Sequence, residues 1–380
     1  MNSLRDQFLL NPGVVFLNHG SFGACPKPVF ETYQRWQVEL ERQPVEFLGR
    51  RHDDLILQAR TAIGQYLNTG AENLIFVPNA TSGLNIVIRS LPLQEGDEIL
   101  TTDHEYGALD LTWKFVCEKT GAHYIHHPIP LPVYSVEDTI ESFWQQVTPR
   151  TRVIFMSHIS SPTALILPIA EIIKRAREAG ILTVIDGAHA PGQVPIDLTA
   201  LGVDFYSGNF HKWLCAPKGS AFLFVRPEHQ HLIQPGVISW GWLEDGTFVS
   251  RNGWQGTRDI AAYLSVPAAI EYQQTNHWEE VRTRCHALGV ETRQRIIELT
   301  GRGPIAPDTW FAQMFTALLP ACDLEVLKRR LYDEFRVEVP LVGWNNGHMM
   351  RVSIQGYNTR EDTDCLLSAL AALLPELSHS

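Results

Sequence analysis

Between residues 73 and 225, short apolar β-branched runs alternate with segments of helical period, and that alternation leaves few folds open. The runs are Asn73–Val77, Glu98–Thr102, Val153–Met156, Leu182–Ile185 and Ala221–Val225. Between them Ser82–Ser90, Tyr106–Glu118, Val136–Gln146 and Ile169–Ala179 carry apolar residues at helical spacing. Short buried strands separated by amphipathic helices read as βαβ units around a mostly parallel sheet. Leu182–Ile185 is mostly apolar on both faces, as a strand covered by helices on either side should be. After Val225 helical patterns dominate: Ile260–Gln273, Trp278–Leu299, Asp323–Phe335 and Arg360–Leu373, with Met349–Ile354 the clearest strand. A smaller α+β domain after a large α/β one is expected. The stretch Gln234–Gln255 holds four glycines and three tryptophans and is too long for an idle connection, which predicts a functional loop.

Composition removes several classes of function. Lys and Arg number 31 against 42 Asp and Glu, a net charge of −11 that repels phosphate backbones, so no nucleic-acid partner is expected. No apolar run reaches the ~18 residues of a membrane span. Met1–Pro12 has only Phe8-Leu9-Leu10 as an apolar core and is not expected to be a secretory leader. Six scattered cysteines without a CxxC pair fit reduced thiols and a cytoplasmic protein. The one histidine cluster, His123 to His127, has no cysteine or acid cluster beside it, and no metal site is expected.

Three segments carry chemistry. Asn79-Ala80-Thr81-Ser82-Gly83 follows a strand and opens a helix, where free backbone N–H groups and the helix dipole favour an anion; Thr81 or Ser82 could equally cap the helix. Asp186 ends a buried strand, where open α/β sheets bind ligands, and His189 lies three residues on. A buried carboxylate there needs a partner such as a protonated ring nitrogen, though it could also cap the next turn. Lys212, in Asn209-Phe210-His211-Lys212-Trp213, is flanked by aromatic rings that would desolvate it and lower its pKa, as a Schiff-base lysine requires; the alternative is a surface lysine.

In this order and spacing the three segments resemble pyridoxal-phosphate (PLP) enzymes of fold type I, in the class V aminotransferase family that includes the cysteine desulfurases. The resemblance runs from Phe16 to about Glu376. Phe16 to Gly23, Asp103-His104-Glu105-Tyr106-Gly107-Ala108, His211-Lys212-Trp213 and Gln255-Gly256-Thr257-Arg258-Asp259 look most like the isopenicillin-N-epimerase branch. It implies an α/β fold with a mostly parallel seven-stranded sheet sandwiched by helices and a smaller C-terminal α+β domain. The implied division is an N-terminal segment over residues 1–27, a PLP-binding domain over 28–258 and a small domain over 259–380.

The same resemblance assigns roles. Lys212 would hold PLP covalently and act as base or acid at the substrate Cα. Asp186 would pair with the pyridine nitrogen, keeping the ring an electron sink, and His189 would bond the phenolate oxygen. Thr81 and Ser82 would cradle the phosphate with Asn209 and His211. His104 matches the ring-stacking position, with Tyr106 as its substitute. Thr257 would reach the phosphate of a partner subunit, which implies a homodimer with shared sites. Arg351 in the Arg-x-Ser strand motif would bind the α-carboxylate of an amino-acid substrate through a bidentate fork, with His19 also contacting the substrate.

The resemblance implies a reaction at the substrate Cα, racemisation or epimerisation first, with a C–S lyase or an aminotransferase as the alternatives. No cysteine lies in Val337 to His348, where a desulfurase carries its nucleophile, so persulfide chemistry is disfavoured. Racemisation or epimerisation would need a second acid–base opposite Lys212, from His104, Tyr106 or His19. A β-eliminating C–S lyase, or an aminotransferase, needs only Lys212. A degenerate copy that binds a partner is disfavoured by the joint presence of Lys212, Asp186, His189 and Arg351.

Overall fold

The computed structural model describes residues 4–243, 245–345 and 347–377. Glu244 of the expected functional loop and Asn346 of the cysteine-free stretch lie outside the described residues. Seven strands form the main sheet: β1 (Leu74–Val77), β2 (Glu98–Thr102), β3 (His123–His127), β4 (Thr151–Ser157), β5 (Leu182–Asp186), β6 (Phe205–Asn209) and β7 (Ala221–Val225). Their order is β1-β7-β6-β5-β4-β2-β3, all parallel except β7, which runs antiparallel to β1 and β6. This is the mostly parallel sheet that the alternation predicts, with the seven strands that the resemblance implies.

Side-chain alternation divides the core between the two faces of the sheet. Ile154, Met156 and Ile185 pack on one face with Ile169, Ile172 and Ile173 of α3 (Ile169–Glu178). Val153, Phe155 and Val184 pack on the other with Leu84 and Val87 of α1 (Ala80–Ser90) and Trp113 of α2 (Gly107–Thr120). Helix α1 lies close on β6. A Cβ at Gly83 would stand 2.3 Å from Ser207 Oγ, so only glycine permits this approach. Edge strand β3 is polar, with His126 on Asp110 and His127 on Ser142, a composition that discourages a further strand from adding there.

The expected helix over 260–273 is two: Ala261–Leu264, then α4 (Val266–Thr275). Pro267 has no N–H to continue the first helix and instead opens the second. Helix α5 (Trp278–Thr300) follows. A three-stranded antiparallel sheet of β8 (Met314–Leu319), β9 (Leu341–Trp344) and β10 (Gly347–Ser353) then packs with α6 (Leu324–Phe335) and α7 (Arg360–Leu377). Near the N-terminus Val15 and Phe16 pair with Val337 and Glu338, and Gly20 N–H donates to Ser353 Oγ. That pairing sets the N-terminal segment across the C-terminal ends of the main strands. Among the described residues no helix is long and apolar enough to cross a membrane.

Candidate active site

A cavity of about 700 Å³ opens at the C-terminal ends of the main strands, where the topology places ligands. Thr81, Ser82, Asp186, His189, Asn209, His211, Lys212 and Arg351 all line it, from four separate stretches of chain.

Helix α1 delivers the first group. Its N-cap is Asn79, whose Oδ1 accepts from Ser82 N–H at 2.8 Å, so neither Thr81 nor Ser82 is spent capping. Asn209, at the end of β6, accepts from Ala80 N–H at 2.8 Å and fixes the helix start against the sheet. The positive end of an 11-residue helix thus faces the cavity beside His211 and Lys212. His211 Nδ1 donates to the Ser220 carbonyl at 3.0 Å, leaving Nε2 as the acceptor. Burial and the nearby Lys212 charge hold its pKa down at about 4 in the ligand-free site.

Strand β5 delivers Asp186, 4% exposed, with one carboxylate oxygen accepting from Ala188 N–H at 2.8 Å. Burial pushes its pKa above the ordinary range, against the pull of that N–H and of Lys212. Such a carboxyl calls for a cationic partner.

The lysine sits on a tight loop between β6 and β7. Gly23 (φ +70°) presses on its backbone, and a Cβ there would lie 1.9 Å from the His211 carbonyl. Lys212 Nζ is 3.3 Å from His189 Nε2. Burial, then the Arg351 guanidinium, push the ammonium pKa below its usual range, against the counter-pull of Asp186. An amine held partly neutral is what covalent capture of a carbonyl needs.

The tautomer of His189 follows from its neighbours. Trp213 Nε1–H can only donate, and it donates to His189 Nδ1 at 3.3 Å. Burial, with Lys212, Arg351 and His211 around it, keeps the imidazole neutral. The proton therefore sits on Nε2, which faces the cavity as a donor. Trp213→Phe removes the constraint. We expect cofactor affinity to fall about tenfold, the worth of one charge-assisted hydrogen bond, measured by fluorescence titration; unchanged affinity would refute the assigned tautomer.

Arg351 comes from β10 of the second sheet. It is 6% exposed, and among the described residues no carboxylate lies within ion-pair distance. Its guanidinium donates to the Ser161 carbonyl (2.6 Å), to Ser161 Oγ (3.1 Å) and to Ser21 Oγ (3.2 Å), while Nε is buried without a partner. Burial lowers its pKa to about 10. A buried cation held only by neutral groups is a receptor for an anion.

Three expected site residues lie outside the cavity. His104 is fully buried: Nε2 donates to the Ile129 carbonyl (2.9 Å), Nδ1 accepts from Thr163 Oγ1 (2.8 Å), and Trp344 covers the ring. The expectation that it stacks on the cofactor or acts as an acid–base is corrected. Successive side chains of the Asp103–Tyr106 loop point different ways, and Tyr106, 45% exposed, is the one that lines the cavity. His19 is corrected as well. Its Nε2 donates to the Lys212 carbonyl (2.9 Å) and Nδ1 accepts from Tyr357 OH (3.0 Å), so it braces the lysine loop from beneath. Burial holds it neutral, with a pKa near 3. Thr257 is exposed and does not line the cavity. Sequence reasoning passed over Ser21 and Ser161, which hold Arg351. Their signal was position: Ser21 lies two residues after His19, and Ser161 just beyond the C-terminal end of β4.

The donor set fits pyridoxal phosphate. The helix end suits a phosphate, and so would His211 once a bound dianion draws a proton onto Nε2; Asp186 suits a protonated ring nitrogen, His189 Nε2–H a phenolate oxygen and Lys212 an aldehyde. None of the six cysteines lines the cavity.

Known proteins agree with this reading. A family model described as aminotransferase class-V matches residues 26–366. The chain is 36% identical to an isopenicillin N epimerase from Amycolatopsis lactamdurans, with 97% of each chain covered. It is 30% identical to a putative L-cysteine desulfhydrase of Oryza sativa, over 96% of this chain and 84% of that one. Its fold matches a cysteine desulfurase structure from Escherichia coli with a TM-score of 0.83 at 22% identity, covering 98% of both chains. The chain belongs to the class-V aminotransferase family of PLP-dependent enzymes.

Proposed function

We propose that the enzyme catalyses α,β-elimination on L-cysteine-derived amino acids, acting as a C–S lyase. The observation that carries this reading is the placement of acid–base groups: Lys212 is in the cavity, while His19 and His104 are turned out of it. Elimination needs one base; a two-base epimerisation needs another opposite. The bound PLP supplies an electron sink for the pair left when a bond to Cα breaks. Arg351 fixes the α-carboxylate and so orients Cα toward Lys212. Lys212 removes the Cα proton; the Cβ–S bond then breaks, sulfur leaving with its electron pair. Water converts the released aminoacrylate to pyruvate and ammonia. The 30% identity to a putative desulfhydrase supports this class.

Epimerisation is the second reading. It is favoured by the 36% identity to an isopenicillin N epimerase and by Tyr106, the remaining candidate for an opposing acid–base. Incubation in D₂O with cysteine conjugates separates the two. We expect pyruvate and free thiol in equal amounts; D-isomer deuterated at Cα without keto acid would establish epimerisation instead.

Our reading also includes a homodimer, with Thr257 completing the phosphate site of the second copy. Support comes from exposed Ile238 (62%), Trp240 (87%) and Leu243 (59%) in the loop before Thr257, an apolar surface of the kind that marks interfaces. The division at residues 27/28 and 258/259 and a cytoplasmic location, in keeping with six free thiols, belong to the same reading.

A further inference from the structure

One buried titratable group close to the site has no part in this mechanism. Glu105 follows His104 in the loop after β2 and is 6% exposed. Its Oε1 is 2.6 Å from Thr102 Oγ1 and its Oε2 is 2.6 Å from Ser157 Oγ. Ser157 ends β4, lines the cavity and is the direct register partner of Asp186 on β5. A second buried carboxyl therefore stands one hydroxyl away from the cavity, beside the carboxylate that pairs with the cofactor ring.

We propose that Glu105 is a positioning residue that sets which way the Ser157 hydroxyl faces, and with it the electrostatics of Asp186. The two protonation states of Glu105 place the shared hydrogen differently. As a neutral acid, Glu105 donates to Ser157 Oγ, and the Ser157 hydroxyl hydrogen is free to point at the cavity. As a carboxylate, Glu105 takes that hydrogen, and Ser157 offers the cavity only lone pairs. Ionisation also adds a negative charge behind Asp186. Burial outweighs the two hydroxyls and pushes the Glu105 carboxyl up to about 8, with Asp186 and then Asp110 of α2 adding to the rise. Tyr124 of β3 also faces Glu105 and Tyr206 of β6 faces Asp186; both phenols are held neutral by burial. The switch thus lies within reach of ordinary pH.

The inference rests on the PLP reading for its effect on the cofactor, but not for its existence, and two measurements keep these apart. On ligand-free protein the sign is fixed by linkage. The folded state holds a proton on Glu105 that the unfolded chain has lost, so this group's contribution to stability falls as pH rises from about 5 to 8. Asp186 shares the direction, so the readout is the difference between wild type and Glu105→Gln. Glu105→Gln mimics the neutral acid and cannot titrate. We expect its melting temperature to fall less steeply than that of the wild type between about pH 6 and pH 8. On reconstituted enzyme, the visible band of the wild type should show an ionisation in that range that is lost in Glu105→Gln and reduced in Ser157→Ala, which keeps the Glu105 charge but cuts the hydroxyl link. Should Glu105→Gln fail to fold, Ser157→Ala cuts the same link and carries the test. Identical pH dependence in wild type and both variants, in stability and spectrum alike, would overturn the role. A protein that takes up no cofactor would instead refute the PLP reading and leave the stability comparison to decide Glu105.

Discussion

Lys212→Ala is expected to yield a folded protein with no covalently held cofactor and with turnover reduced by about 10²–10⁴-fold or more, the range spanned by loss of a positioned base. The site explains why nothing substitutes. Among the described residues, the only other nitrogen bases lining the cavity are His189 and His211. The lone pair of His189 is on Nδ1 and is taken up by Trp213, while burial and Lys212 hold His211 down at about 4, too weak a base for a Cα proton; neither imidazole can form a Schiff base. The loop itself should survive, because it is braced by backbone contacts: the Lys212 carbonyl accepts from both His19 and Cys215 N–H. Melting temperature and the visible spectrum check the two halves separately. A variant that still reduces to a cofactor-labelled chain would assign the attachment elsewhere.

Arg351→Ala is expected to raise KM for any α-amino acid by about 10²–10³-fold, since truncating one partner of a buried charge pair costs roughly 2–5 kcal/mol. Affinity for PLP should change far less, as the cofactor-facing groups come from other elements. A second effect follows from electrostatics. Arg351 is one of the causes that lower the Lys212 pKa. Removing it lets the ammonium hold its proton to higher pH. Capture of the aldehyde needs the neutral amine, so the pH midpoint for the rate of PLP uptake by ligand-free protein should move upward. Steady-state kinetics and stopped-flow reconstitution test the two effects; an unchanged KM would remove Arg351 from the substrate site.

Residues that the main chain positions directly were legible in the sequence. Asp186 ends a buried strand, Thr81 and Ser82 open a helix, and Lys212 lies between two strands, so strand periodicity alone brings them to one edge of the sheet. Residues whose direction depends on tertiary packing were not. His104 and Tyr106 lie two apart in one loop, and only the contacts of His104 with Thr163, Ile129 and Trp344 decide which of them meets the cavity. His19 sits in a motif that matches the family, yet its imidazole is drawn beneath the lysine by Tyr357 and a carbonyl, contacts more than 190 residues away in the chain. Strand β8 went unread for a different reason. Met314–Leu319 is a short apolar run without alternation, which does not distinguish a strand from a buried helical turn.

Everything above turns on Lys212 holding PLP in this cavity. The most direct test is to incubate the purified protein with PLP, reduce it with borohydride and map the labelled peptide by mass spectrometry. We expect a visible band that disappears on reduction, with the cofactor's mass added at Lys212 and nowhere else. A protein that stays colourless, or a label on any other lysine, would contradict it.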